Sequence, residues 1–173
     1  MSIHLINSES ETSLSLDELA NELRWIQAGS KRISIIGTRN LSITHQQVVE
    51  MISSASVQAG NTIITSGGAS GVNFAAMQGA LKSAPEKLEV ILPQTISQQA
   101  PEVQECLKQV KLVIEHPDRE DMEFAEASRI CYHEIIDTAH QLICFLYHDS
   151  NTLIKAVDYA KFNHKIVTIF YLD

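Results

Sequence analysis

Six short apolar runs, alternating with stretches of helical periodicity, constrain this chain more than any other feature. The runs are Ile33–Ile36, Thr62–Thr65, Leu88–Leu92, Leu112–Ile114, Gln141–Tyr147 and Ile166–Phe170. Most are nearly unbroken rather than alternating, the pattern of strands covered on both faces. Between them, small and apolar residues recur at helical spacing. The stripes are Val48, Ile52, Ala55 and Ala59; Val72, Ala75, Ala76, Gly79 and Ala80; Phe124, Ala127, Cys131 and Ile135; and Leu153, Val157 and Ala160. Each marks a helix with one buried face. The alternation predicts an α/β fold over residues 31–173, an open, mostly parallel sheet with helices on both faces. Residues 1–30 read as an addition to it. A polar, serine-rich arm from Met1 to Ser13 leads into a helix carrying Leu16, Leu19, Leu23 and Ile26, with Gly29 as its stop signal.

The second run breaks into Ser66-Gly67-Gly68-Ala69-Ser70-Gly71, and a small-residue helix starts at once. Glycine lets a backbone approach a bulky anion and turn through dihedrals that other residues avoid. Free N–H groups at a helix start, aided by the helix dipole, favour negative charge there. The loop therefore reads as a phosphate cradle. The plainer alternative is a tight strand-to-helix turn with Ser70 as N-cap. The spacing is neither a G-x-G-x-x-G fingerprint nor a P-loop.

In a parallel sheet the carboxyl ends of the strands share one edge, where ligands bind. Three segments are expected to meet there. They are Gly37-Thr38-Arg39-Asn40 after the first run, the Ser66–Gly71 loop after the second, and Ser128-Arg129 with His133 ahead of the fifth. Arg39 offers a guanidinium fork suited to phosphate. Arg129 and His133, four residues apart, share a helix face; they form either a further contact or a solvated pair bonded to Glu126 and Asp137. His148-Asp149 follows the fifth run, and a polar turn explains it as well as a ligand contact does.

Other chemistry finds little support. Cys106, Cys131 and Cys144 lie far apart and form no C-x-x-C, so buried free thiols are expected. The seven histidines show no metal-ligand spacing, and no metal or other cofactor is expected. Between Glu50 and Glu86 there is no Asp or Glu, so the glycine-loop segment supplies no general base. The net charge of -8 weighs against non-specific nucleic-acid binding without excluding a local basic patch. Lys31, Arg32 and Arg39 form the tightest cationic cluster. No apolar run reaches the ~20 residues of a membrane helix, and the start Met1-Ser2-Ile3-His4 is no secretory signal, so cytoplasmic residence is expected.

From about Ile33 to Phe170 the chain resembles the DprA/Smf family of DNA-processing proteins. Their Rossmann-like domain belongs to a wider group that includes the LOG phosphoribohydrolases. Ile35-Ile36-Gly37-Thr38-Arg39 is similar to the family's strand ending in Gly-Ser-Arg. Ser66-Gly67-Gly68-Ala69-Ser70-Gly71-Val72-Asn73, with Ala75-Ala76 and Gly79-Ala80-Leu81, is similar to its Ser-Gly-x-Ala-Arg-Gly-Ile-Asp…Ala-Leu block. Ser128-Arg129-Ile130 is similar to part of its Arg-Asn-Arg segment. The resemblance implies a Rossmann-like sheet, single-stranded DNA or a nucleotide as ligand, and a RecA-type recombinase or another protein as partner. It also implies phosphate contacts at Gly37, Thr38, Arg39, Ser66, Gly67, Gly68, Ala69, Ser70, Gly71 and Arg129. A homodimer is expected too, with the apolar tail Ile166–Leu172 as one candidate contact. The chain departs from the family pattern at Ser70 (arginine), Asn73 (aspartate) and Met77 (histidine). The Pro-Gly-Gly-x-Gly-Thr-x-x-Glu segment of the LOG enzymes is missing, since Pro93 is followed by Gln94-Thr95. The expectation is therefore a non-catalytic binding protein. The alternatives are a nucleotide-sensing adaptor and, less favoured, a nucleotide N-glycosidase.

Overall fold

A computed structural model describes Leu16, Ala20, Gly29 and residues 31–173. Apart from those first three positions, the expected N-terminal arm and helix lie outside the described residues. The main body is one sheet of six strands: β1 (Arg32–Gly37), β2 (Thr62–Thr65), β3 (Leu88–Ile91), β4 (Leu112–Ile114), β5 (Gln141–Leu146) and β6 (Ile166–Tyr171). All neighbours pair in parallel, in the order β4-β3-β2-β1-β5-β6. Five α-helices cross between them: α1 (Ile43–Gln58), α2 (Gly71–Ser83), α3 (Pro101–Leu107), α4 (Phe124–Asp137) and α5 (Asn151–Phe162).

Successive strand residues face opposite ways, and the sheet sorts its core accordingly. Ile33, Ile35, Ile63, Val90 and Phe145 pack on one side with Val49, Val57, Val72, Ala76 and Val103, which come from α1, α2 and α3. Ile36, Ile64, Ile91, Cys144 and Leu146 pack on the other with Cys131, Ile135, Leu153 and Val157 from α4 and α5. Helices cover both faces, which is why the strand sequences show no polar alternation. No helix among the described residues is long and apolar enough to cross a membrane.

Two helical readings need correction. The face that α1 buries is Val49, Ser53 and Val57, one position on from the expected Val48, Ile52, Ala55 and Ala59. Val48 and Ile52 are only partly covered, and Ala55 and Ala59 are exposed. Ser53 belongs to the buried face because its hydroxyl donates to the Ala76 carbonyl at 2.6 Å. An apolar count cannot register that. On α4, Ala127, Cys131 and Ile135 are buried as expected, but Phe124 is 43% exposed at the helix's first turn. The short helix α3 has no counterpart in the sequence reading; a Pro start and seven residues leave too little periodicity to detect.

A tight junction joins α2 to the turn after β1. Val72 N–H donates to the Thr38 carbonyl at 3.0 Å. Gly71 has φ +80, and a Cβ there would lie 2.5 Å from Arg39 Cα and overlap the Thr38 carbonyl. Gly60 shares the left-handed backbone, with φ +90, but a Cβ would meet nothing within 4 Å. Gly71→Ala is therefore expected to cost roughly 3–5 kcal/mol, backbone strain plus overpacking, whereas Gly60→Ala costs about 1–2 kcal/mol from strain alone. Urea denaturation of both variants checks the difference. Equal losses would show that the α2 junction is not sterically tight.

Candidate functional site

Strand order reverses between β1 and β5, because the chain steps outward from β1 to β4 and then returns to β1's other side. Crevices form at such switch points, beyond the carboxyl ends of the strands. Here the turn after β1 is closely held. Thr38 N–H donates to the Phe145 carbonyl at 3.0 Å. The Thr38 hydroxyl accepts from Asn40 N–H at 3.2 Å, and the Tyr147 hydroxyl donates to the Asn40 carbonyl at 3.1 Å. Thr38 and Asn40 thus shape the turn with their own polar groups.

The Ser66–Gly71 loop is bonded very differently. Among the described residues, the main-chain N–H groups of Gly67, Gly68, Ala69 and Ser70 find no acceptor. Ser70 occupies the N-cap position of α2, yet its side chain caps nothing; its hydroxyl reaches back to the Arg39 carbonyl at 3.5 Å. Asn73 donates from its amide nitrogen to the Gly67 carbonyl at 3.4 Å, while its Oδ1 is buried without a partner. Gly67 makes room for Gln99, whose Oε1 would lie 2.5 Å from a Cβ at that position. At Gly68, with φ +130, a Cβ would meet only the Ser70 carbonyl, at 3.7 Å. The loop is roofed at one glycine and open at the next.

A cleft of about 310 Å³ lies over it. Its floor is Ser66 to Ser70 with Gly37 and Asn73. One wall comes from Gln98, Gln99 and Ala100, and the other from Phe124, Ser128 and Tyr132 of α4. Among the described residues no Asp or Glu lines it, and Arg39 is the one charged residue that does. Arg39 makes no ion pair among the described residues. Its guanidinium rests over the Phe124 ring, 4.7 Å from the centroid, a cation–π contact that leaves the edge N–H groups unused. Burial pushes the Tyr132 phenol up, against an opposing effect of Asn73, so the ring stays neutral. Chemically, the cleft offers amide donors and one cation, with no carboxylate or imidazole beside them.

A model of the DNA recombination-mediator protein A family matches residues 22–120, more than half of the chain. The chain belongs to that family. Among solved structures it is similar to DNA processing protein A from Helicobacter pylori, whose description concerns its single-stranded DNA binding mode. The identity is 19% and the TM-score 0.64, over 79% of this chain and 63% of that one. The chain thus spans less than two thirds of that protein's resolved length. It is also similar to the molybdenum cofactor carrier protein of Chlamydomonas reinhardtii, in two structures. One gives 16% identity and a TM-score of 0.53 over 82% of this chain and 76% of that one; the other gives 15% and 0.56 over 80% and 74%. At these identities the structures establish the Rossmann-like fold. No curated protein matches the chain.

As a member of the recombination-mediator family, the chain brings together nine of its ten expected contact residues. Gly37, Arg39 and Ser66 to Ser70 line the cleft, Gly71 closes its floor and Thr38 stands on the adjoining side of the turn. Arg129 is not with them. Its guanidinium pairs with Glu126 at 2.7 Å and lines a separate cleft with His133 and Lys155. His133 stacks on Tyr159 at 3.9 Å, and burial, reinforced by Arg129, pushes its pKa down. The Lys31, Arg32 and Arg39 cluster is likewise one of sequence only. Arg32 sits at the opposite end of β1, bound to Glu89 at 2.5 Å. His148 pairs with Asp173 at 2.7 Å and stacks on Tyr171, which accords with a polar turn. Of the three thiols, Cys131 and Cys144 are buried and pushed up to about 12, while Cys106 is half-buried. No metal-ligating cluster is found among the described residues.

Several residues that build the site gave no sequence signal. Gln94 is 7% exposed, and its amide nitrogen donates to the Arg119 and Met122 carbonyls at 2.9 Å each. Its own carbonyl accepts from His116 N–H at 2.9 Å. Arg119 in turn binds Glu134 on α4, which holds the guanidinium firmly protonated, and His116 Nε2 lies 2.9 Å from the same carboxylate. These bonds fix the 115–123 connection and hence where α4 presents Phe124 and Tyr132. Gln94→Leu takes the amide donor from the Met122 carbonyl and leaves the Arg119 carbonyl with the Met122 N–H alone. The expected cost is about 2–3 kcal/mol, with faster amide exchange concentrated in residues 115–123. Unchanged exchange there would remove Gln94 from the role of clamp.

Proposed function

We propose that this chain binds single-stranded DNA, a phosphate lying over Gly68 and Arg39 pairing with it from the side. The observation that carries the reading is the cleft itself. Among the described residues, four main-chain amides without acceptors stand beside an arginine that makes no ion pair, and no carboxylate shares the space. In a chain of net charge -8 that is a local reversal of sign. Membership of the recombination-mediator family supports the reading, as does the Helicobacter pylori relative, described by its single-stranded DNA binding. Phe124 supports it too, since an exposed ring beside a phosphate site gives a base a face to stack on. Delivery of the bound strand to a RecA-type recombinase, and action as a homodimer, form part of the same proposal.

A second reading, a sensor that binds one free nucleotide and acts through a protein partner, is favoured by the cleft's modest size. Salt distinguishes the two, because a strand held at several phosphates releases several counterions. Hydrolysis of a nucleotide's glycosidic bond has little support, because no carboxylate lines the cleft to assist it.

Fluorescence anisotropy with a labelled twenty-residue oligothymidylate tests the proposal. Arg39→Ala is expected to weaken binding about tenfold or more, the worth of a charge-assisted hydrogen bond, and to lower the salt slope by roughly 0.7. Ala69→Glu, which sets a carboxylate in the cleft, is expected to weaken it further. Wild-type affinity in both variants would overturn the assignment of this cleft.

A further inference from the structure

We infer that the amino edge of the sheet, opposite the glycine-loop cleft, is a second binding face that holds the phosphate backbone of a nucleic acid by charge alone. It stands on observations separate from the cleft. All six strands run in parallel, so the residues that precede them lie along one edge. In sheet order from β4 to β6 these are Lys111, Lys87, Asn61, Lys31, His140 and Lys165. With strands about 4.8 Å apart, the row is roughly 24 Å long.

Charge is sorted between the two edges. Lys31 and the five helix-to-strand connections together carry five Lys and one Glu, whereas the strand-to-helix connections and the tail after β6 carry seven Asp or Glu and two Arg. Among the described residues Lys31, Lys87, Lys111 and Lys165 make no ion pair. Lys165 donates to the Ala139 carbonyl at 2.9 Å, a neutral partner that leaves its charge uncancelled. Helix carboxyl ends gather at this edge, and their dipoles favour lysine there without any ligand. That effect is confined to the last turn of a helix, however, and Lys87 and Lys111 each lie four residues past a helix end. His140 responds to its neighbours in the row: burial first, then Lys165 and Arg32, push its pKa down.

A phosphate backbone fits this row better than a folded protein does. Protein interfaces put apolar groups at the centre and charge at the rim. Here Leu112 and Ile166, 43% and 56% exposed, stand at the two ends, and the lysines run from one to the other. Lysine is a point charge on a flexible stem, able to meet a phosphate without fixed register. A duplex carries one phosphate per strand in about 3.4 Å of axis, so roughly seven pass along the row. Four lysines each find one whatever the sequence.

The test uses a labelled twenty-base-pair duplex, which is too wide for a cleft of about 310 Å³. Anisotropy at low ionic strength is expected to show binding with a salt slope of roughly −3 to −4. Lys31→Gln combined with Lys111→Gln, both at exposed positions, is expected to reduce the slope by about 0.9 per lysine and to weaken the duplex about tenfold or more, with the melting temperature unchanged. Lys31→Glu alone gives a similar loss if the double variant fails to fold. Arg39→Ala is expected to leave duplex affinity within about twofold, since it removes no charge from the row. No duplex binding by the wild-type chain, wild-type affinity in the lysine variants, or an equal loss in Arg39→Ala would overturn the inference. Tighter binding of poly-glutamate than of duplex would overturn it too, and give the edge to an acidic protein. The cleft is tested apart from this, by oligothymidylate and Arg39→Ala, so either reading can fail alone.

Discussion

The carboxyl edge of this sheet depends on how closely α2 approaches the turn after β1. Two glycines face that junction from opposite sides. Gly71 leaves no atom against Arg39 Cα, and Gly37 leaves room for the Val72 side chain, which would lie 2.6 Å from a Cβ there. Into the space so cleared goes one hydrogen bond, from Val72 N–H to the Thr38 carbonyl. The approach sets Arg39 beside the glycine loop and holds the loop's amides away from other acceptors. A Cβ at either position would overlap its neighbours across this junction. Chain geometry and charge placement are therefore the same fact.

The opposite wall is placed by a different device. Main-chain carbonyls of the 115–123 connection converge on Gln94, a buried amide. Arg119 then carries that restraint to Glu134 on α4. Rigid polar anchoring behind a helix allows apolar and aromatic groups to stand in front of it without support of their own. Phe124 is the result: a ring at a helix start, exposed on one face and covered by a guanidinium.

Strand positions were legible in the sequence almost to the residue, because a strand buried on both faces must be apolar throughout and few other segments are. The small-residue face of α2 was legible for a similar reason. Gly79 lets the backbone of Glu50 come within 2.9 Å of where a Cβ would be, and no larger residue permits that crossing. On α1 the phase was missed, since Ser53 is buried by a hydrogen bond and apolar periodicity does not count bonds. At the site, the glycine loop and Arg39 could be found because their chemistry is local to a few consecutive residues. Gln94, Gln99 and Tyr132 could not, because each matters through a partner far along the chain. Arg129 was expected at the site from the resemblance of Ser128-Arg129-Ile130 to the family's Arg-Asn-Arg segment, but adjacent residues on a helix do not share a face. Ser128 lines the cleft and Arg129 turns to Glu126.

How an acidic protein keeps a cleft free of acid is answered by where its carboxylates are bound. Glu89 is tied to Arg32 at the far end of β1, and Glu50 to Lys82 across α1 and α2, which holds the Glu50 carboxyl below its usual range. Glu134 is taken by Arg119 behind α4, and Glu126 by Arg129 at the rim, where the neighbouring guanidinium lowers the Glu126 carboxyl as well. The exposed Glu126–Arg129 pair is worth little to stability. The effect of the pairs is on the field: a paired carboxylate is a short dipole, and within a Debye length of about 8 Å a dipole repels an anion far less than a bare charge does. Net charge then describes the whole surface while the cleft answers to Arg39 and the loop amides. Arg129 is paired with Glu126, whereas Arg39 makes no ion pair among the described residues.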